Sequence, residues 1–175
     1  QQIAAAAHAS EPATPAQIAE RLNALNESLQ TKIQNSNDPH DLDDDADFVA
    51  ARDLLADPTT PFDITLRYAI GSNLTLACPA LVALARRPER QQAMQRVMER
   101  APELGAWSLA FALEALEAMP QRPAIGAPLA RVGGWWADNS HYLDVVRAYL
   151  ERCANAGDAP VFDPNAPAST RETMQ

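Results

Sequence analysis

The chain has only two cysteines, Cys78 and Cys153, among its 175 residues. Two are too few for a disulfide-stapled secreted scaffold or for a zinc site built from four cysteines. We therefore expect both to be small, buried apolar residues. No apolar run approaches the roughly 18 residues that a membrane-spanning helix needs, so the sequence predicts no membrane span.

Basic residues are also scarce. The chain has 14 Lys and Arg against 23 Asp and Glu, which gives a formal net charge of −9. Because Lys and Arg supply the affinity of a protein for phosphates, this balance argues against a nucleic-acid partner. Lys32 is the only lysine, and together with the abundant alanine this bias is typical of a GC-rich bacterial source.

The usual signatures of catalysis and cofactor binding are missing. The sequence contains no G-x-S-x-G, P-loop, dinucleotide-binding, H-E-x-x-H or C-x-x-C motif. His141 and Cys153 share one predicted helix, but twelve residues separate them by about 18 Å, too far for a nucleophile and its base. The sequence thus predicts neither an enzyme active site nor a bound cofactor.

Apolar residues recur at helical spacing through most of the chain, which predicts an all-α fold. Short connections rich in proline favour an antiparallel helical bundle or a short α-solenoid of about six or seven helices. We expect residues 16–157 to form this single domain. Residues 1–15 are predicted to be a linker or leader remnant, and residues 158–175 a flexible C-terminal linker.

The sequence also predicts particular features of several helices. A helix at 16–36 carries a narrow apolar stripe, so it could pack on one neighbour or form a detachable arm. Asp63 and Asn73 are predicted N-caps, and Pro79 predicts either a kink or a helix start at Cys78. Helices are also expected at 103–119, 123–137 and 140–156, with 103–119 as the most buried and central.

A weak internal repeat of the form A-L-x-A-L-x-x-x-P supports the solenoid. Residues 80–88 match residues 112–120 at an offset of 32, and a fainter copy begins at Ala50. Over residues 48–120 this spacing resembles the second helix of tetratricopeptide-like repeats, and the alternation resembles HEAT-type helix pairs. The resemblance implies stacked helical pairs and no single family. An ordinary bundle of Ala-rich helices stays open as the alternative.

Almost all of the excess charge lies in residues 38–63, which hold nine aspartates against Arg52. A solvated acidic linker whose last aspartates precede a helix N-terminus is the first interpretation. A docking strip for a basic partner is the second, and a divalent-cation site is the third. The EF-hand pattern fails, because Ala46 and Arg52 replace the required Gly and Glu. The candidate docking residues are Asp41, Asp43, Asp44, Asp45 and Asp47.

Trp135 and Trp136 form a second candidate partner-binding site. Adjacent residues point about 100° apart on a helix, so the two indoles are not expected to be buried together. One of them could line a groove and anchor a partner peptide, because tryptophan is enriched at interface hot spots. Packing in the core of the C-terminal half is the alternative.

These observations predict a non-catalytic protein-interaction or scaffold domain that belongs to a larger protein or complex. One alternative is a regulatory or substrate-recruiting domain of an enzyme outside this sequence. Another is an autonomous helical enzyme that uses carboxylates, for which we expect a deep pocket lined by paired Asp and Glu. A third is a self-assembly module in which the 16–36 helix pairs with a second copy to give a homo-oligomer. The expected partner is a protein, basic where it meets the acidic segment. For location, the sequence slightly favours the cytoplasm over export to the periplasm.

Overall fold

The computed structural model describes residues 11–117, 119 and 140–155, and all regular structure in these ranges is helical. The predicted all-α fold is therefore confirmed. Two short 3₁₀ helices occur at Pro39–Leu42 and Ala101–Glu103. The α-helices are α1 (Pro15–Gln34), α2 (Ala46–Ala56), α3 (Phe62–Ala69), α4 (Leu74–Arg86), α5 (Arg90–Glu99), α6 (Ala106–Glu117) and α7 (Ser140–Asn155). The helix predicted at 123–137 lies outside the described residues.

Helix α1 begins with a capping box. The Thr14 hydroxyl accepts from the Gln17 backbone N–H at 3.2 Å, and the Gln17 side chain accepts from the Thr14 N–H at 2.9 Å. The predicted stripe consists of Ile18, Leu22, Leu25, Leu29 and Ile33, of which Ile18, Leu22 and Leu29 are buried and Leu25 and Ile33 are half-buried. It packs against both α2 and α4 rather than one neighbour. None of the helices in the described part of the chain is long and apolar enough to cross a bilayer.

Helix α4, rather than the helix predicted at 103–119, occupies the centre of the described fold. It packs against α1, α2, α3, α5 and α6, while α6 packs mainly against α4, α5 and α7. Nine of the 13 residues of α4 are buried. Alanines around its circumference let several neighbours approach closely, whereas α6 has Glu114 and Glu117, which keep part of its surface at the solvent.

One predicted helix cap is confirmed, and two other predicted boundaries are wrong. Asn73 caps α4, its side chain accepting from the Leu76 N–H at 3.3 Å. Asp63 is not an N-cap, because α3 already begins at Phe62, directly after Pro61. Helix α4 runs continuously through Pro79, so a helix start at Cys78 is wrong. Both cysteines are buried, as expected.

The two clear copies of the repeat lie on α4 and α6, which are direct neighbours. Their alanines and leucines at 80, 81, 83, 84, 112, 113, 115 and 116 are all buried. The third copy on α2 is out of register, because Ala50 is exposed while Ala51 and Leu55 are buried. Helices α2, α4 and α6 thus form a row in which α4 contacts both others, and α3 and α5 supply the connections.

A buried arginine joins the ends of several helices. Arg87 follows α4 and is only 2% exposed. Its Nη1 donates to the carbonyls of Leu55 at 3.0 Å and Asp57 at 2.9 Å, and its Nη2 donates to the carbonyl of Thr60 at 2.9 Å. Those carbonyls belong to the C-terminal end of α2 and its link to α3, where the helix itself supplies no donors. A single guanidinium thus satisfies them and fixes α2 against α4.

We predict that Arg87→Met lowers the free energy of unfolding by about 3 kcal/mol, because it removes three buried hydrogen bonds, each worth about 1 kcal/mol. The neighbouring Arg86 is a matched control, since its side chain is 50% exposed. Arg86→Met should change stability by less than about 0.5 kcal/mol. Urea denaturation followed by circular dichroism measures both, and equal effects for the two variants would contradict this role of Arg87.

Candidate functional site

The acidic segment predicted as a docking strip is folded and largely bonded within the chain. Asp38 caps the first 3₁₀ helix by accepting from the His40 N–H at 2.8 Å. The Asp41 carboxylate reaches back to the N–H groups of Asn37 at 3.0 Å and Asp38 at 3.1 Å. Asp45 is the N-cap of α2, accepting from the Asp47 N–H at 2.9 Å. The sequence prediction that the last aspartates serve the helix N-terminus thus describes Asp45 and Asp47.

Lys32 on α1 neutralises the N-terminal end of α2. Its ammonium donates to both carboxylate oxygens of Asp45, at 2.9 and 2.8 Å, and to Asp47 at 2.8 Å. The Ser28 hydroxyl also donates to Asp47. These hydrogen bonds raise the pKa of Lys32 above its usual range and lower the pKa values of Asp45 and Asp47. The only lysine of the chain therefore lies where its charge is shared by two aspartates.

The same contacts bear on the divalent-cation hypothesis. Within residues 11–117, 119 and 140–155, no three His, Cys, Asp or Glu side chains are grouped as a metal site requires. The candidate ligands are dispersed, because Asp41 points back to its own turn while Asp45 and Asp47 bind Lys32. Among the described residues, the cation that binds Asp45 and Asp47 is the lysine ammonium.

We predict that Lys32→Met lowers the free energy of unfolding, because it leaves Asp45 and Asp47 without their shared cation. Salt screens such charges, so the loss should shrink from 0.05 to 1 M NaCl. The lowered carboxyl pKa values also mean that this stabilisation is present above about pH 4 and disappears as pH falls further. Urea denaturation measures both trends.

Arg21→Met is the matched control for Lys32→Met. Arg21 is an exposed cation on the same helix, and no ion pair to it is found in the described part of the chain. Its removal should leave stability close to that of the unaltered chain. An equal, salt-sensitive loss in both variants would show that the effect comes from net charge and not from the Lys32 contacts.

His40 connects the acidic segment to α6. Its Nδ1 lies 2.8 Å from the Asp43 carboxylate and its Nε2 lies 2.7 Å from the Glu114 carboxylate. The imidazole also packs on Phe111, with 5.0 Å between the ring centroids. An imidazole donates from both nitrogens only when it is protonated. The two carboxylate contacts therefore describe His40 in its charged form.

The pKa of His40 follows from these contacts. Partial burial lowers the pKa, but the hydrogen bonds to Glu114 and Asp43 raise it more, so the net pKa lies above the ordinary 6.5. A histidine whose pKa is raised on folding adds stability that is fully present below its unfolded pKa. That stability is lost as pH rises through the folded pKa.

We predict that His40→Gln lowers the free energy of unfolding more at pH 5.5 than at pH 8.5. The His40 side chain is 42% exposed, so the difference should be no more than about 1 kcal/mol. Comparing urea denaturation of the two chains at each pH isolates His40, because the other histidines are common to both. A difference that is constant with pH would contradict the assignment.

Beside His40, an open groove of about 370 Å³ lies across α2, α4 and α6. We call it the α2–α6 groove. Its floor is apolar and consists of Phe48, Val82, Ala85, Phe111 and Ala115. Its rim is charged and consists of His40, Asp43, Asp44, Arg52, Arg86 and Glu114.

The charges on the rim are ordered along the groove. Asp44 precedes α2, Phe48 lies four residues later and Arg52 four residues after that, so α2 runs from an acidic to a basic end. Glu114 is joined through His40 to the acidic end. Arg86 and Arg52 both lie within ion-pair distance of Asp53, at 3.7 and 2.8 Å. The groove therefore has an apolar floor between opposite charges.

The side chains that line the groove in the described part of the chain offer no hydroxyl, thiol or amine nucleophile for covalent catalysis. Its described lining contains no Ser, Thr, Cys or Lys. In this arrangement each ring nitrogen of His40 donates its N–H to a carboxylate, so neither nitrogen can accept a proton. Cys78 is elsewhere in the core, where burial raises the pKa of its thiol to about 12. The groove itself presents apolar side chains beside charged ones.

Of the predicted site residues, the groove brings together Asp43 and Asp44. Asp44 is the one member of the predicted strip for which the described part of the chain shows no hydrogen bond or ion pair. Trp135 and Trp136 lie outside the described residues. Glu114, Arg52 and Arg86 also line the groove but were not predicted as site residues. Chain folding places Glu114 and Arg86 beside the acidic segment, to which Arg52 itself belongs. The spacing of His40 and Asp43, one turn apart, was the signal that could have pointed to His40.

Comparison of the chain with protein-family models, with curated proteins and with solved structures gave no significant match. The function must therefore be argued from the groove and the residues around it.

Proposed function

We propose that this chain is a protein-interaction domain that binds a short segment of a partner protein in the α2–α6 groove. The apolar floor between an acidic and a basic end is the observation that supports the proposal. Such a surface fits an apolar side chain flanked by a basic residue on one side and an acidic residue on the other. A peptide segment carries all three groups on one chain.

The charge of the groove also favours a protein segment over a nucleic acid. A phosphate backbone would meet Arg52 and Arg86 at one end but would be repelled by Asp43, Asp44 and Glu114 at the other. Because most aspartates of residues 38–47 already have bonds within the chain, the acidic segment contributes to docking mainly through the groove. A basic residue of the partner is thus the expected contact for Asp44.

Two alternatives from the sequence bear differently on this proposal. A recruiting domain for an enzyme outside this sequence would use the same groove for the same kind of ligand. Self-assembly through α1 would use Ile18, Leu22 and Leu29, which already pack within the chain. Helix α1 would have to leave α2 and α4 before it could pair with a second copy, so we do not favour self-assembly.

The test is a titration with a blocked five-residue peptide of the order arginine, alanine, leucine, alanine, glutamate. Leucine supplies the apolar anchor, and acetyl and amide groups remove the terminal charges. We expect amide shifts in ¹H–¹⁵N NMR spectra at millimolar peptide, concentrated at Phe48, Val82 and Phe111. Peptides with serine in place of leucine, or with two glutamates, should bind more weakly.

A matched pair of variants tests the place of binding. Arg86→Glu reverses the charge at the basic end of the groove. It should lower the affinity for the peptide about fivefold, which corresponds to roughly 1 kcal/mol of binding free energy. Arg96→Glu makes the same change at an exposed position of α5 outside the groove and should have little effect. No binding of any peptide at millimolar concentration, or equal weakening by both variants, would contradict the proposal.

A further inference from the structure

The best apolar surface of the α2–α6 groove is covered by a titratable side chain. Phe111 is only 4% exposed although it belongs to the floor. The His40 ring lies over it, with 5.0 Å between the ring centroids. His40 therefore covers part of Phe111, together with Phe48, whose ring centroid lies 6.1 Å from that of Phe111.

The two hydrogen-bond partners of His40 lie at very different separations from it along the chain. Asp43 is three residues away in the same turn, whereas Glu114 is 74 residues away on α6. Asp38 and Asp41 cap this turn reciprocally, and Leu42 packs against the core, so the turn has its own support. The ring contacts α6 through its hydrogen bond to Glu114 and through its packing on Phe111.

A neutral imidazole has one N–H and can keep only one of these bonds as a donor. The unprotonated nitrogen then faces a carboxylate lone pair at hydrogen-bond distance, which is repulsive. Keeping the bond to Asp43 costs less conformational entropy, because that partner is held in the same turn. Loss of the proton therefore breaks the bond to Glu114 and frees the ring to turn away from Phe111.

We propose that His40 is a proton-controlled lid on the α2–α6 groove, closed over Phe111 when protonated and open when neutral. The partner segment then binds more tightly as pH rises. This inference rests on the proposed function, because it concerns the regulation of the same groove.

Two physical effects of proton loss act in the same direction. Opening the lid exposes the Phe111 ring to the apolar anchor of the ligand, and burial of aromatic surface favours binding. Loss of the proton also makes the acidic end more negative, which favours the basic residue of the ligand. Both effects strengthen binding at higher pH.

His40 is the group at the groove whose charge changes near neutral pH. The charged groups around it come from its own segment, α2, α4 and α6, and they are Asp43, Asp44, Arg52, Arg86 and Glu114. In peptides, carboxyl groups titrate near pH 4 and guanidinium groups above pH 12. The raised pKa of His40 places the change above 6.5.

The experiment measures the affinity of the arginine–alanine–leucine–alanine–glutamate peptide at pH 5.5 and 8.5. We expect roughly tenfold tighter binding at pH 8.5, a coupling of ordinary size. Linkage is reciprocal, so saturating peptide should lower the pKa of His40 measured by NMR. His40→Gln should remove the pH dependence, whereas His141→Gln, which removes another histidine, should retain it.

The outcomes separate this inference from the proposed function. Equal affinity at both pH values, or a His40 pKa that does not fall with peptide, overturns the lid and leaves the proposed function standing. If the peptide binds at neither pH 5.5 nor pH 8.5, the proposed function is wrong. The lid is then judged by the NMR contact between the His40 and Phe111 rings. We expect this contact at pH 5.5 and its loss at pH 8.5, and persistence at pH 8.5 overturns the lid.

Discussion

The guanidinium of Arg87 holds the end of α2, the link to α3 and the end of α4 in one arrangement. Three backbone carbonyls converge on it from Leu55, Asp57 and Thr60. The carbonyls at a helix end need donors, and a buried guanidinium needs acceptors, so each satisfies the other. The Thr65 hydroxyl adds a second donor to the Leu55 carbonyl at 2.7 Å. This polar cluster is small, but it joins the C-terminal end of α2 directly to the end of α4 and so adds to the apolar packing that positions the two helices.

The α2–α6 groove is a consequence of that position. Helix α2 supplies Phe48 and Arg52, α4 supplies Val82 and Arg86, and α6 supplies Phe111. The other end of α2 is fixed by Lys32 of α1, whose ammonium binds two aspartates. Helix α2 is thus held at both termini by cations from other parts of the chain, and this fixes the residues that it contributes to the groove, Phe48 and Arg52. A rigid support of this kind suits a recognition surface.

Much of the fold could be predicted from the sequence, because local chemistry determines it. Helical spacing indicated the all-α class, Asn73 was recognised as an N-cap, and the α1 stripe at Ile18, Leu22 and Leu29 was read from its period. Errors arose where two local signals competed. Asp63 is a good cap, but Pro61 is already the N-cap residue, because α3 begins at Phe62. Pro79 normally breaks helices, yet burial of α4 on several sides keeps the helix continuous through it.

The candidate site was less predictable. The sequence by itself determined that residues 38–63 are acidic, that Lys32 is the only lysine and that helices build this protein. Only the tertiary structure decided which charges face each other. Glu114 binds His40 although 74 residues separate them in the chain. Asp45 and Asp47 bind Lys32, whereas Asp44 lies at the rim of the groove. The apolar period and the composition of a segment indicate which secondary structure that segment forms. Ion pairing depends on the distances between segments, and these distances are set only when the helices pack.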